Sequence, residues 1–532
     1  MRKLLLFFFL INLTYSATHY CSPSGSASWA NSTNISTPCS WSTAFSNATA
    51  GDKVYFRGGD YNLGSAEVAS SNNGTANDDA HRIIFKSYPG EMANLYGTTT
   101  HGPLIWVDGN YQTYDSLSMH VTINNAGNGD RAVLDAGDWH SAQYVKILSC
   151  HLHIVSTATL DNVDCIILEG VSYSDYALIQ YCDLEGPAAG NGPGGVIIMT
   201  VGSAKGTKIL NNEIHNTGVG LYCKHINGDT GFGTGAEWAY NYIHDIGTSN
   251  DGGFLGIPAY INIHDNLIIN TTGTDFGING GGSNGTNSLL NHNTFEGGWF
   301  RAMDESGGMI NYTIKNNIFL NREIYGGSGN TFDYNMWENT SGIGAHDQGS
   351  THPTYVGGSS PSTIVGYALT PASAGYQDGD DSADLGCNTA LVGRAPGGGD
   401  VTPPVAANSF IATAVDSSAI NIKLTQIPEW YRGVGRYQVS SYPTSTTDGI
   451  SLFDTQDSTT VNNDNFTVNL ICNTTYYVTA FLLDSFGNCI TYANANKDTL
   501  KTSACYSAPI IGGKINVGGT GKSSGGGTGK IQ

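Results

Sequence analysis

The chain has 532 residues, 70 of them Gly, with 13% charged residues and a formal net charge of −21. That length implies several folding units or one elongated unit, because an ordinary domain takes roughly 100–200 residues. Gly, Asn, Ser and Thr stand where charges usually do, which excludes a coiled coil or helical bundle and favours turn-dense β structure. A 39% hydrophobic content with 29 Tyr excludes a disordered chain. The acidic excess argues against nucleic acid as a partner, and against anionic polymers unless a cation or a local basic groove intervenes.

In chain order, Met1-Arg2-Lys3 followed by the apolar run Leu4–Leu13 and the small residues Ser16 and Ala17 reads as a secretory signal peptide over 1–17. The run is too short to span a bilayer, and no later stretch is long and apolar enough for a membrane helix. A secreted or cell-surface location is therefore expected. In that setting cysteines form local disulfides. Cys21 with Cys39 is the best pair by position, and Cys472 could pair with Cys489 or Cys505.

The middle of the chain repeats. Segments Ile209–His215, Trp238–His244, Ile263–Ile269, Leu290–Glu296, Ile314–Leu320 and Phe332–Glu338 align on Asn212, Asn241, Asn266, Asn293, Asn317 and Asn335. Two earlier units carry Cys150 and Cys182 in the same column. Two places after the column every unit is apolar: Leu152, Leu184, Ile214, Ile243, Ile268, Phe295, Phe319 and Trp337. Alternation over so short a stretch is a strand with one buried face. A recurrent Asn at a bend predicts a ladder of stacked side-chain amides. A spacing near 25 residues, with a second short strand per unit, describes coils of a parallel β-helix, and the spaced-Leu consensus of leucine-rich repeats is absent.

Tyr20–Ser26, Pro38–Thr43, Ala50–Tyr61 and Arg82–Glu91 resemble the opening coils of secreted right-handed parallel β-helix proteins of the pectate-lyase-like superfamily. The resemblance covers about residues 18–395 and implies an all-β solenoid. It also implies a polysaccharide or glycan partner, and it is compatible with lyases, glycosidases and non-catalytic relatives. Its lyases use a Lys or Arg to remove the proton α to a uronate carboxylate, with calcium or another cation neutralising that carboxylate.

Two outward rows could hold chemistry. Three places after the Asn column stand His153, Glu185, His215 and His244, of which Glu185, His215 and His244 are candidate substrate-binding residues. His215 and His244 would be close enough to perturb each other or share a metal. On the second strand, Tyr222 and Lys224 alternate with inward Leu221 and Cys223, followed by His225, with Asn279 and Arg301 near the same row. Lys224 is the candidate base, Arg301 and His225 its assistants, and Tyr222 and Asn279 substrate contacts. Asp251, Asp275, Asp304 and Glu305 near these strands would suit a glycoside hydrolase instead. Asp378, Asp380, Asp381 and Asp384 concentrate oxygen ligands for a calcium ion. In proteins of the resembling superfamily, such a stretch closes the C-terminal end of the helix.

Residues 396–404 read as a linker. Residues 405–502 alternate like a small β-sandwich, in which Thr474–Ala480 and Asp484–Asn488 resemble the later strands of a fibronectin type III domain. That family's early Trp is missing, with Leu424 in its place. Residues 503–532 are a Gly-rich flexible tail. The sequence thus points to a secreted polysaccharide-active β-helix protein, most plausibly a uronate lyase. The alternatives are a non-catalytic adhesin or glycan-binding protein and a β-helix glycoside hydrolase. A virion tailspike fits poorly with the signal peptide.

Overall fold

A computed structural model describes residues 17–393 and 409–503, apart from segments 66, 100–101, 124–130, 138–139, 157–162, 169–173, 187–194, 201–204, 225–234, 248–251, 257–259, 270–273, 279–284, 298, 302, 305–306, 321–327, 339–342, 416–418, 426–431, 446–447, 456–461, 469 and 484–494. The signal-peptide segment before Ala17, the linker and nearly all of the tail lie outside the described residues. Two compact units emerge, one holding long parallel sheets and the other the antiparallel strands from Ser409 onward.

The first unit is a right-handed parallel β-helix. Among the described residues, sheets A and B have 12 strands each and sheet C has 9. One coil runs Lys146–Leu148 in sheet A, His151–Ser156 in sheet B and Val163–Leu168 in sheet C, and the next returns to sheet A at Leu178–Gln180. The inward column is as expected: Leu152, Leu184, Ile214, Ile243, Ile268, Phe295, Phe319 and Trp337 are all 0% exposed. Because like residues meet from coil to coil, aromatics stack inside, with Phe319 centred 5.2 Å from Phe295 and 4.2 Å from Trp337.

The expected ladder occupies the turn between sheets A and B. Asn212, Asn241, Asn266, Asn293 and Asn317 each donate from Nδ2 to Oδ1 of the next Asn at 2.9–3.0 Å. The series ends on Asp347, which accepts from Asn335 Nδ2 at 3.2 Å. Each amide also bonds a carbonyl of the preceding coil, as from Asn212 to Ile179 at 3.1 Å and from Asn266 to Trp238 at 3.0 Å. Cys182 and Cys150 keep that last contact, their thiols donating to Ile147 at 3.4 Å and Tyr114 at 3.5 Å. Those carbonyls are in register with Ile179, so the cysteines extend the column without the amide-to-amide bonds.

The residue before each ladder position lies in the left-handed region, and none of these is Gly. They are Ser149, Tyr181, Asn211, Tyr240, Asp265, His292, Asn316 and Tyr334, with φ between 52° and 61°. A side chain there costs roughly 1–2 kcal/mol, which the buried amide bonds of the next residue offset in the six coils that carry Asn. Gly does serve the turn before sheet A at Gly206. A Cβ there would sit 2.6 Å from the Tyr176 ring.

At the N-terminal end, helix α1 (Trp41–Asn47) is capped by Ser40, whose hydroxyl accepts from the Thr43 N–H at 3.2 Å. It buries Ala44 and Phe45, with the Phe45 ring 4.8 Å from Phe85 and 5.8 Å from Phe56. Cys21 and Cys39 are buried bridge partners there, carried as thiols. Cys489 and Cys505, the candidate partners of Cys472, lie outside the described residues.

Residues 377–393 do not merely close the end of the helix. They run back along its side over the ladder turn. Gln348 donates to Asp378 at 2.8 Å, Asn316 to Asp380 at 2.7 Å, and the Asn388 N–H to Asp265 at 2.9 Å. The Gly393 N–H reaches the Tyr240 carbonyl at 2.6 Å. With Tyr355, Tyr367 and Leu369, this strap supplies Leu385 and Val392 to a second apolar cluster containing Ile269, Ile318, Leu320 and Met336. Ile269 and Leu320 belong to the outward column that carries His and Glu in earlier coils. Those two positions are apolar and buried in the strap cluster, while Glu296 and Glu338 keep the column polar in the alternate coils.

In the second unit, Ser409–Ala414, Ala419–Thr425 and Asn462–Thr467 form one sheet. Ile450–Thr455, Arg432–Gln438, Thr475–Leu483 and Asn496–Lys501 form another. Ile420, Ile422, Val434 and Val478 are buried between alternating outward residues. The Ala412 N–H reaches across from the first sheet to Asp498 of the second at 2.8 Å.

Candidate functional site

Sheet C carries the candidate base. Val219–Lys224 is one of its strands, in which Leu221 is fully buried and Tyr222 half-exposed. This agrees with the expected alternation. Lys224 is paired with Thr200 of the coil before. The register runs from Tyr222 to Leu255, Gly277 and Arg301. Arg301 therefore shares the row of Tyr222, three coils on, and is offset by two residues from the row of Lys224. At ~4.8 Å per coil the two row-mates are about 14 Å apart along the axis. His225 and Asn279 lie outside the described residues. Of the acidic candidates, Asp275 and Asp304 fall in strands Thr274–Ile278 and Met303–Asp304, while Asp251 and Glu305 lie outside the described residues.

Glu185, His215 and His244 stand on a different sheet. They lie on sheet B, in register with one another and with His153 and His120. The His215 and His244 rings are stacked, their centroids 5.2 Å apart. They do not share an open ligand position. His215 Nε2 meets Asp183 at 2.9 Å, and His244 is held at both nitrogens, by Glu213 at 3.3 Å and Asp245 at 2.8 Å. Burial pulls the His244 pKa down, but the bonds to Glu213 and Asp245 outweigh it and leave the pKa raised.

The column one place after the ladder also faces outward, and the sequence reading passed over it. It supplies His151, Asp183, Glu213 and Tyr242, next to His153, Glu185, His215 and His244. Its signal was available, since positions one and three after the Asn flank the same inward residue. His151 Nδ1 donates to Asp183 Oδ2 at 3.1 Å, and His153 Nε2 lies 3.8 Å from Glu185 Oε2.

The four candidate calcium carboxylates each serve a separate partner. Asp378 takes Gln348, while Asp380 takes Lys315 at 2.5 Å and Asn316. Asp381 takes His292 at 3.0 Å, and Asp384 takes the Gln377 N–H at 2.9 Å. This arrangement clamps the strap and does not form a common ligand set.

Sheet A presents a shallow trough of about 710 Å³, lined by Lys208, Glu237, Tyr260, Asn262, Asn287 and Thr313 among others. Lys208 and Glu237 are ion-paired at 2.7 Å, and His264 Nε2 meets Glu237 at 3.0 Å. Tyr260 stands 47% exposed beside them. An aromatic ring beside fixed polar groups can stack on one face of a sugar ring and hydrogen-bond its hydroxyls.

No protein-family profile matches the sequence, and no curated protein matches it. Among solved structures the chain is similar to pectate lyase Pel9A, at 13% identity and a TM-score of 0.42 over 70% of this chain and 96% of that one. It is similar to a rhamnogalacturonan lyase at 14% identity and a TM-score of 0.43, over 63% of this chain and 87% of that one. It is also similar to the tailspike of E. coli bacteriophage HK620, solved with a pentasaccharide, at 9% identity and a TM-score of 0.34 over 82% and 76% of the two chains. The fold itself is defined by the three parallel sheets, their left-handed turns and the ladder.

Proposed function

We propose that this chain is a secreted polysaccharide-active β-helix protein that cleaves a uronate-containing glycan by β-elimination. The observation that carries this reading is the register of sheet C, which aligns Tyr222 with Arg301 and sets Lys224 two residues along the same strand. An aromatic residue and two cations thus fall along one sheet of a chain that is otherwise strongly acidic. In the reaction Lys224 would take the proton α to the uronate carboxylate, and Arg301, three coils along the sheet, would hold the carboxylate of another uronate of the same polymer. The electron pair then forms a C=C bond as the glycosidic C–O bond breaks, and the leaving oxygen gains a proton. The four Asp of the strap, engaged by other partners, take no part in this step.

A second reading, glycan binding without cleavage, is favoured by the sheet A trough with its exposed Tyr260. Tyr476 supports reading the second unit as fibronectin-III-like. Its hydroxyl accepts from the Ile471 N–H at 2.7 Å, five residues upstream, as in the tyrosine corner of such sandwiches. The test is incubation of the purified full chain with a panel of uronate polymers, with and without calcium, followed by product mass analysis. Elimination yields fragments with unsaturated ends and no added water. Hydrolytic fragments would overturn the lyase reading, and retention of intact polymer would favour binding alone.

A further inference from the structure

We infer that His151, His153 and Glu185 form a site for a zinc-class divalent cation on the outer face of sheet B, separate from the proposed lyase row. Their ligand atoms all lie within 4.8 Å of one another. A tetrahedral set with bonds of ~2.1 Å holds its ligand atoms about 3.4 Å apart. Side-chain rotation of about an ångström therefore closes the set. The backbone already places the three groups. His151 and His153 flank fully buried Leu152 on one strand, so both face outward, and Glu185 is the direct register partner of His153.

Two neighbours orient the ligands from behind. Asp183 accepts from His151 Nδ1 at 3.1 Å, which fixes the proton on that nitrogen and leaves Nε2 as the donor for a metal. Asp183 is itself held by His215 Nε2 at 2.9 Å. Asn216 Nδ2 donates to Glu185 Oε1 at 3.1 Å, leaving Oε2 as the atom that faces His153 Nε2 at 3.8 Å. A carboxylate behind a ligating imidazole is the usual support of a histidine metal site. Two imidazoles and one carboxylate are a borderline donor set suited to zinc, whereas calcium takes six to eight oxygens. The side chains of His151, His153 and Glu185 are 38%, 34% and 28% exposed. Three protein ligands at that exposure leave a fourth position for water or a ligand oxygen.

The test uses the full chain, with Zn2+ and Ca2+ titrated calorimetrically and Co2+ followed by its visible absorption. The expected result is a Co2+ spectrum of a four-coordinate site, displaced by one equivalent of Zn2+ and not by Ca2+. His153→Ala and Glu185→Gln should each abolish that spectrum, and Asp183→Asn should weaken Zn2+ binding by ~10–100-fold. His346→Ala, at an exposed histidine paired with Asp333, should leave it unchanged. Circular dichroism establishes that each variant is folded. A wild-type chain with no such spectrum, or a spectrum that survives His153→Ala and Glu185→Gln in folded protein, would overturn the assignment. Displacement by Ca2+ as readily as by Zn2+ would do the same.

Discussion

Replacing Asn266 by Ala removes the middle of the ladder. The amide Nδ2 donates to Asn293 Oδ1 at 2.9 Å and to the Trp238 and His264 carbonyls at 3.0 Å. The Oδ1 accepts from the Asn241 N–H at 3.0 Å and from Asn241 Nδ2 at 2.9 Å. Asn241 Nδ2 keeps one bond, to Ile209, so truncation strands two buried donors, the Asn241 N–H and one amide hydrogen. At ~1–3 kcal/mol for each orphaned buried group, the loss should be about 2–6 kcal/mol. Asn212 ends the amide run, and its Oδ1 serves the Cys182 N–H at 2.9 Å. Asn212→Ala should therefore cost less, roughly 1–3 kcal/mol. Asn34→Ala, in an exposed loop, is the control and should stay within ~0.5 kcal/mol of wild type. Urea unfolding by far-UV circular dichroism gives the ranking, and fluorescence of fully buried Trp238 reports the coil directly beneath. An Asn266→Ala chain as stable as the control, or one less affected than Asn212→Ala, would refute the ladder argument.

The remaining expectations concern titration and the strap. Burial lowers the His264 pKa, but hydrogen bonds to Asp265 and Glu237 outweigh it and raise the pKa above 6.5, as happens to His244 through Glu213 and Asp245. Because the folded values exceed the unfolded one, both contribute stability that is complete below about pH 6.5 and is lost as pH rises through the folded pKa. Imidazole NMR titration should place both midpoints above 6.5, and midpoints below it would contradict this. Leu385→Ala should cost about 2–5 kcal/mol within the strap cluster. It should also speed amide exchange across 377–393, and unchanged exchange there would show that the cluster does not hold the strap.

The solenoid was legible because its signal is local and repeated. One Asn column, in six coils, and one apolar column two residues on fix both the strand and its inward face. The residue before each Asn was not legible as a left-handed position. Tyr240 and Tyr334 carry no turn propensity, and Tyr181 takes the same conformation before Cys182, so the bend belongs to the coil and not to the residue that occupies it. The His151–Asp183–Glu213 column was hidden because no residue type repeats along it, and its two carboxylates are held by histidines, Asp183 by His151 and His215 and Glu213 by His244. The strap could not be read either, since Asn316 meets Asp380 across 64 residues and Asn211 meets Leu391 across 180. The outward-facing Ile269 and Leu320 were its only trace in the repeat. Reading 378–384 as an end closure named no partners for its carboxylates, which Gln348, Lys315, Asn316 and His292 supply from distant coils.

The most direct test of the functional account is the rate at which ultraviolet absorbance of unsaturated uronate ends appears when wild-type, Lys224→Ala and Arg301→Ala chains act on the same polymer. The account predicts a steady rise for wild type, none above background for Lys224→Ala, and for Arg301→Ala a raised KM with kcat nearly unchanged, as for a group that binds a distant part of the polymer. Undiminished elimination by folded Lys224→Ala, or no elimination by wild type on any uronate polymer, would contradict it.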